Sequence, residues 1–291
     1  MKTFSIRELE TLSGIKAHTL RIWEKRHSVL NPQRSQGNNR VYSIGELRKI
    51  LNYSLLNNNG YKVSQLSALT NDEVEQRIKE LLKDEGKQQK AVNDLIICMH
   101  QLDTDGFEKI LDTSMSSWSL DIVLTEIVYK FLQKIGLLWE GNRLTEEHFV
   151  VTSIRSKIIL GIERTDVNEM KNKKILLFLP GTAQLDLLLL YTKYILRIRG
   201  FQVLYMGNDI TVANLKTVIQ LKQPDYIFTY LSKKNNFKVR ELSSIMEEVI
   251  PESILVIANN PGSRLLKQDF DNVIQLGYQD ALSYFSGDGP A

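Results

Sequence analysis

The chain has 291 residues, 43% of them hydrophobic, and a formal charge of +3, enough for two or three globular domains with cores of their own. A single cysteine, Cys98, excludes an intrachain disulfide framework and argues against a cysteine metal site. Apolar runs such as Ile175–Leu179 are too short to cross a bilayer, and the N-terminus lacks the apolar core of a signal peptide, so a soluble cytoplasmic protein is expected. Residues 1–62 hold 11 Lys/Arg against four Asp/Glu, a surplus of seven, which leaves 26 against 30 in the remainder. A basic head on a mildly acidic body places a polyanionic partner at the N-terminus.

Ser5 followed by Glu8 is a capping-box pattern that opens a first helix, which Gly14 breaks. Lys16 to Arg26 (KAHTLRIWEKR) forms a second, cationic helix, and Arg34 to Tyr42 reads as a basic hairpin. Ser43 and Glu46 repeat the capping pattern, with Leu47, Ile50, Leu51 and Leu55 continuing at helical spacing. Asn58-Asn59-Gly60 stops that helix, and Val63 to Leu69 starts a short one. Helix, tight turn, cationic helix and cationic wing describe a reader of duplex DNA. Lys16, His18, Thr19 and Arg21 sit near the N-terminal end of the second helix, where side chains reach base edges or adjacent phosphates. Trp23 lies about 200° around the helix from Arg21 and is expected to pack or to contact the DNA backbone rather than to read a base. Arg34, Arg40 and Tyr42 on the wing suit phosphate oxygens.

Residues 71 to about 85 form a charged helical pattern, and four more helical stretches follow near 87–101, 103–117, 119–138 and 145–164. A helical bundle is the economical reading, with no heptad run long enough for an extended coiled coil. After residue 172 the period changes. Strands are expected at 174–179, 201–206, 226–230, 253–258 and 273–276, with helices at 185–199, 212–222, 238–250 and 278–286 between them. Continuous apolar strands alternating with helices predict a doubly wound, five-stranded parallel sheet of flavodoxin or Rossmann-like type, its ligand crevice at the carboxyl ends of the strands. The expected domains are a winged helix-turn-helix head at 1–70, a helical bundle at 71–168 and the parallel-sheet domain at 173–288, a multidomain α plus α/β architecture.

Catalysis finds little support. Pro180-Gly181-Thr182 lacks the Gly-Lys-Ser/Thr ending of a phosphate loop, and there is neither a nucleophile elbow nor a His pair with metal spacing. Asp186, Asp209 and Asp225 are the imaginable acid/base groups, but Asp186 falls at a helix start, where it favours the helix dipole. Neither an enzyme nor a metal site is expected.

Ser5 to Leu9, Gly14-Ile15, Thr19 to Glu24, Asn38 to Ser43 and Gly60 to Val63 resemble the MerR family of transcription regulators over roughly residues 3–70. The resemblance implies a dimer that binds a pseudo-palindromic promoter site and often distorts it. The order of head, bundle and parallel-sheet domain further resembles the cobalamin-dependent light-responsive repressors of the CarH/LitR type. Trp139 and Glu147-His148 are similar to that subfamily's bundle motif. The departures matter more. Where the subfamily's cobalamin loop has an acid, a cobalt-ligating His and a Gly, this chain has Thr182, Gln184 and Leu187. An amide is a poor cobalt donor compared with imidazole, and Leu187 is bulky where a glycine lets the cofactor's nucleotide tail pass. Glu140 stands where a second His is often found, Asn259 to Gly262 replaces a small, glycine-rich stretch, and no His lies in residues 149–291.

The resemblance therefore implies a vestigial pocket (Trp139, Glu147, His148, Thr182, Gln184, Leu187) and no cofactor, with cobalamin as the departure from that expectation. The expected function is DNA-binding regulation, as a repressor whose body acts in oligomerisation, as dimer or tetramer, or in binding a regulatory protein. Other readings stay open: a sensor of another small-molecule effector, an atypical cobalamin-dependent repressor, and an anti-repressor that no longer binds DNA. No membrane partner is expected.

Overall fold

The computed structural model describes residues 2–35, 37–81, 83–136, 144–164, 170–180, 186–231, 237–259 and 270–286. The chain divides into two compact units, Met1–Ser153 and Ile154–Ala291.

The first unit opens with α1 (Ile6–Ser13) and α2 (Ala17–His27). The Ser5 backbone N–H donates to the Glu8 carboxylate at 2.7 Å and the Glu8 N–H to the Ser5 hydroxyl at 3.3 Å, so both halves of the expected capping box form. Gly14 ends α1 in the left-handed region, at φ 76°, and its N–H donates to the Glu10 carbonyl. The wing is β1 (Gln33–Arg34) paired antiparallel with β2 (Arg40–Val41). Asn38 turns it at φ 59°, a conformation Asn tolerates better than most residues. Phe4 and Tyr42 exchange backbone hydrogen bonds of 2.8 and 2.9 Å, which fasten the chain's start to the end of the wing.

The helix after the wing, α3 (Ile44–Asn58), is capped by Ser43, but its capping box is only half made. Glu46 instead accepts from the Asn31 backbone N–H at 2.8 Å and pins the loop before the wing. Next come α4 (Val63–Leu66), α5 (Asn71–Leu81), α6 (Asp84–Gln101) and α7 (Thr104–Ser117). The expected single helix near 119–138 is α8 (Leu120–Ile122), a π-helical segment Val123–Val128 and α9 (Tyr129–Gly136). Apolar residues three and four apart suit α and π turns alike, so the spacing does not separate them. The helices pack on the head through a polar seam. Asn52 on α3 donates to Glu75 on α5 at 2.8 Å, and Asn93 on α6, itself buried, donates to the Leu51 carbonyl at 3.3 Å. The last bundle helix, α10 (Leu144–Glu163), spans the division between the two units.

The second unit is a five-stranded parallel sheet of β3 (Lys174–Phe178), β4 (Gln202–Gly207), β5 (Tyr226–Tyr230), β6 (Ile254–Asn259) and β7 (Val273–Gly277). Its order, β4-β3-β5-β6-β7, is the expected flavodoxin-like one. Leu176, Phe178, Ile227, Leu255 and Ile257 bury one face with Leu215 and Ile219 of α12 (Val212–Lys222) and Leu242 and Met246 of α13 (Val239–Val249). Helices α11 (Asp186–Ile198) and α14 (Tyr278–Tyr284) pack on the strands as well. Helices on both faces explain why β3, β5 and β6 are almost wholly apolar.

Candidate nucleic-acid interface

Leu20 and Trp23, three residues apart, are the buried face of α2. Trp23 is therefore core, one of the two roles its angular position allowed. Lys16, His18, Arg21, Lys25 and Arg26 are exposed, and Thr19 is half-buried with its hydroxyl 3.4 Å from the His18 ring. Lys25 and Arg26 were missed by the sequence reading, as was Ile22, an apolar side chain 44% exposed on a cationic helix. The signal was available, because residues not in phase with Leu20 and Trp23 must face outward.

The start of α2 is held by Glu10 of the preceding helix. Its carboxylate accepts from the Ala17 backbone N–H at 3.2 Å and pairs with Lys16 at 3.3 Å. These contacts, the Ala17 N–H foremost, hold the Glu10 carboxyl below its ordinary value. The four N–H groups that open a helix have no intrahelical partner, so an acid from a neighbouring element satisfies one of them and fixes where α2 begins.

On the wing, Arg34 donates to the Asn38 side chain at 2.5 Å, and Arg40 keeps a half-exposed side chain. The expectation for Tyr42 is corrected. Its side chain is 0% exposed and its hydroxyl donates to Glu24 on α2 at 3.0 Å, so it is not a phosphate contact. Residues two apart on an extended chain share a face, and the face carrying Arg40 and Tyr42 turns toward α2. Arg40 also reaches Glu24, its Nε donating at 3.1 Å, but is long enough to remain at the surface. Burial, followed by the Glu24 carboxylate, pushes the Tyr42 phenol upward, so it stays a donor.

Of the six residues expected to form the body's pocket, His148 and Leu187 have described side chains, one in each unit. Trp139, Thr182 and Gln184 lie outside the described residues, as does the side chain of Glu147. His148 is exposed on α10. Leu187 is buried in α11, 4% exposed. Beside it Asp186, 5% exposed, accepts from the Tyr205 hydroxyl at 2.7 Å and is ion-paired with Arg155 of α10. Burial and the Asp186 carboxylate push the Tyr205 phenol upward. The three aspartates considered as acid/base groups have separate settings. Asp186 starts α11, Asp209 lines an open groove of about 600 Å³ with Pro180, Thr211 and Lys238, and Asp225 binds Lys173 and the Lys174 N–H at the amino end of β3.

At the end of β5 the Tyr230 and Thr192 hydroxyls lie 2.7 Å apart. The Tyr278 ring is 5.4 Å from that of Tyr230 and 6.4 Å from that of Tyr191. This aromatic cluster occupies the space between α11, α14 and the carboxyl end of β5. Among the described residues no group of three His, Cys, Asp or Glu is placed to hold a metal ion, and no helix is long and apolar enough to cross a membrane.

Residues 4–73 match the family model described as MerR HTH family regulatory protein. Over 235 residues, 78% of each chain, the sequence is 20% identical to the HTH-type transcriptional repressor CarH of Myxococcus xanthus. Over 250 residues, 85% of this chain and 82% of the relative, it is 24% identical to the HTH-type transcriptional repressor CarA of the same organism. The fold of a monomethylamine corrinoid protein from Methanosarcina barkeri covers 67% of this chain and 97% of its own, with TM-score 0.55 and 12% identity. A basic helix and wing, a matching family model over that segment and long relatives named as transcriptional repressors converge: the chain is a DNA-binding transcriptional regulator with a MerR-type head over residues 4–73, and it shares the fold of a corrinoid protein over 67% of its length.

Proposed function

We propose that the protein is an operator-binding repressor whose body works without cobalamin and sets DNA affinity through self-association or a protein partner. Three parts carry the role: the reader at 1–70, the bundle at 71–168 and the parallel-sheet domain at 173–288. The observation that carries the DNA-binding half is the set of exposed side chains His18, Arg21, Lys25 and Arg26 on α2, with Lys16 at its N-cap and Arg34 and Arg40 on the wing. Lys and Arg on such a face neutralise phosphates and release counterions, while Arg21 and His18 at the head of the helix carry base discrimination. CarH and CarA are both named as repressors, which supports that direction of regulation, and a cytoplasmic site of action goes with an operator-binding role.

The residues present do not fit cobalamin. The chain's four histidines are His18, His27, His100 and His148, so the unit that begins at Ile154 has none to ligate cobalt. Gln184 stands at the ligand position and offers an amide. Leu187, at the position of the glycine, is committed to the core, and the buried rings of Tyr191, Tyr230 and Tyr278 cluster on the same unit. With no cofactor chemistry and no paired acid and base, the body is not catalytic in this reading. Its effect on transcription is through mass action. Linking two readers raises the effective concentration of the second on a two-half-site operator, so any change in association changes occupancy without altering a DNA contact.

Gel filtration with adenosylcobalamin in the dark, read at protein and corrin wavelengths before and after green light, tests the cofactor claim. Colourless protein of unchanged size is expected. Co-elution of corrin with a light-dependent change in size would overturn it.

A further inference from the structure

We propose that Glu24 is the positioning residue that locks the wing to the recognition helix, so that both meet the duplex as one preformed surface. The inference rests on the DNA-binding reading above. Both oxygens of this carboxylate are in use: one accepts from Arg40 Nε at 3.1 Å, the other from the Tyr42 hydroxyl at 3.0 Å. The Glu24 side chain is 16% exposed and that of Arg40 52%, so the acid sits beneath the arginine rather than beside it in solvent. Engaging Nε leaves the two terminal nitrogens of Arg40 for a phosphate, in the fork geometry that suits one.

An acid on a face that binds a polyanion weakens attraction to DNA, so its placement calls for a compensating effect. The wing supplies one. Its strands are two residues each, far short of what holds a hairpin in place alone. Beyond the Glu46 contact that pins the preceding loop, its anchors include the Phe4 to Tyr42 backbone pair at the base and Glu24 on the side facing the helix. Ordering the wing before DNA arrives removes an entropic cost from binding.

The test uses a duplex selected from a random-sequence pool by the wild-type full chain. Failure to recover any duplex would count against the DNA-binding reading itself, whereas failure of the Glu24 lock shows only in variants compared on a recovered duplex. Affinity is then measured across salt concentrations for Glu24→Ala, Arg40→Ala, the double variant and Glu24→Gln, with thermal melting of each as a folding control. Glu24→Ala is expected to bind roughly tenfold more weakly, with the salt slope shallower by about one, the signature of one lost phosphate contact. Arg40→Ala should show the same change in slope, and the double variant should be no worse than Arg40→Ala alone. Glu24→Gln, which keeps one acceptor oxygen, should recover part of the affinity. If Glu24→Ala does not fold, the intermediate affinity and slope of Glu24→Gln against Arg40→Ala carry the test. Equal or tighter binding by folded Glu24→Ala or Glu24→Gln with an unchanged slope, or additive losses in the double variant, would overturn the proposal.

Discussion

The hydroxyls of Thr192 and Tyr230 lie 2.7 Å apart in the core of the second unit, one on α11 and the other on the last residue of β5. The same Thr192 oxygen also donates to the Leu188 carbonyl within its helix. The pair ties helix to sheet at the end of the strands where doubly wound folds take their ligands. Thr192→Val keeps the shape and removes the bond, at a cost of about 1–2 kcal/mol. Hydrogen exchange of the β5 amides should report the loss locally. The Thr192→Val/Tyr230→Phe double variant should cost less than the sum of the two single changes, because both remove one shared interaction.

Asp186 holds Tyr205 and Arg155 together, joining α11, β4 and α10. Asp186→Ala leaves a guanidinium and a phenol without their shared acceptor. Because Arg155 is partly exposed, solvent screens it, and about 1–3 kcal/mol is expected rather than the larger penalty of a fully buried pair. Chemical denaturation followed by circular dichroism checks the magnitude. No loss would mean that the three elements are held by apolar packing alone.

Lys134 gives the first unit a specific pH dependence. Burial, followed by repulsion from Lys130, pulls its ammonium from 10.5 down to about 8. Between those two values the unfolded chain holds the proton and the folded chain has released it, so this residue's contribution to stability rises with pH across that window and is fully unfavourable below it. Wild type should therefore gain on Lys134→Met by roughly 2–3 kcal/mol over the window, an order-of-magnitude figure. Denaturation of both proteins at the two ends of the window reads it. A constant difference would mean that the ammonium is solvated.

Tyr42 and Lys25 separate packing from DNA contact. Tyr42→Phe is expected to cost the head about 1 kcal/mol of stability while leaving the number of phosphate contacts, and hence the salt slope, within half a unit of wild type. Lys25→Ala should do the reverse, lowering the slope by about one with stability unchanged. Arg21→Ala should cost about 1–3 kcal/mol on the selected duplex and relax discrimination at one base pair. Binding titrations on selected and scrambled duplexes distinguish these outcomes.

Local chemistry was legible in the sequence. Ser5 and Glu8, Gly14, and the strict alternation of apolar strand and helix after residue 172 act within a few residues of themselves, and the structure follows them. What escaped depends on distant partners. Glu46 makes the capping pattern but is drawn to Asn31, and Tyr42 has the look of a wing contact but faces Glu24 because of how α2 crosses the hairpin. Glu24 itself reads as an unremarkable acid until both of its partners are in view. Asp186 is legible as part of a helix start, which the structure places at that residue, but its tie to Arg155 spans two elements with no shared motif.

The most direct measurement is an anisotropy titration of the selected duplex with the full chain in the dark, at increasing salt, with and without adenosylcobalamin. Tight binding that weakens steeply with salt and does not respond to the corrin is expected of a DNA reader with a cofactor-independent body. Absence of duplex binding, or binding that appears only when adenosylcobalamin is added, would contradict it.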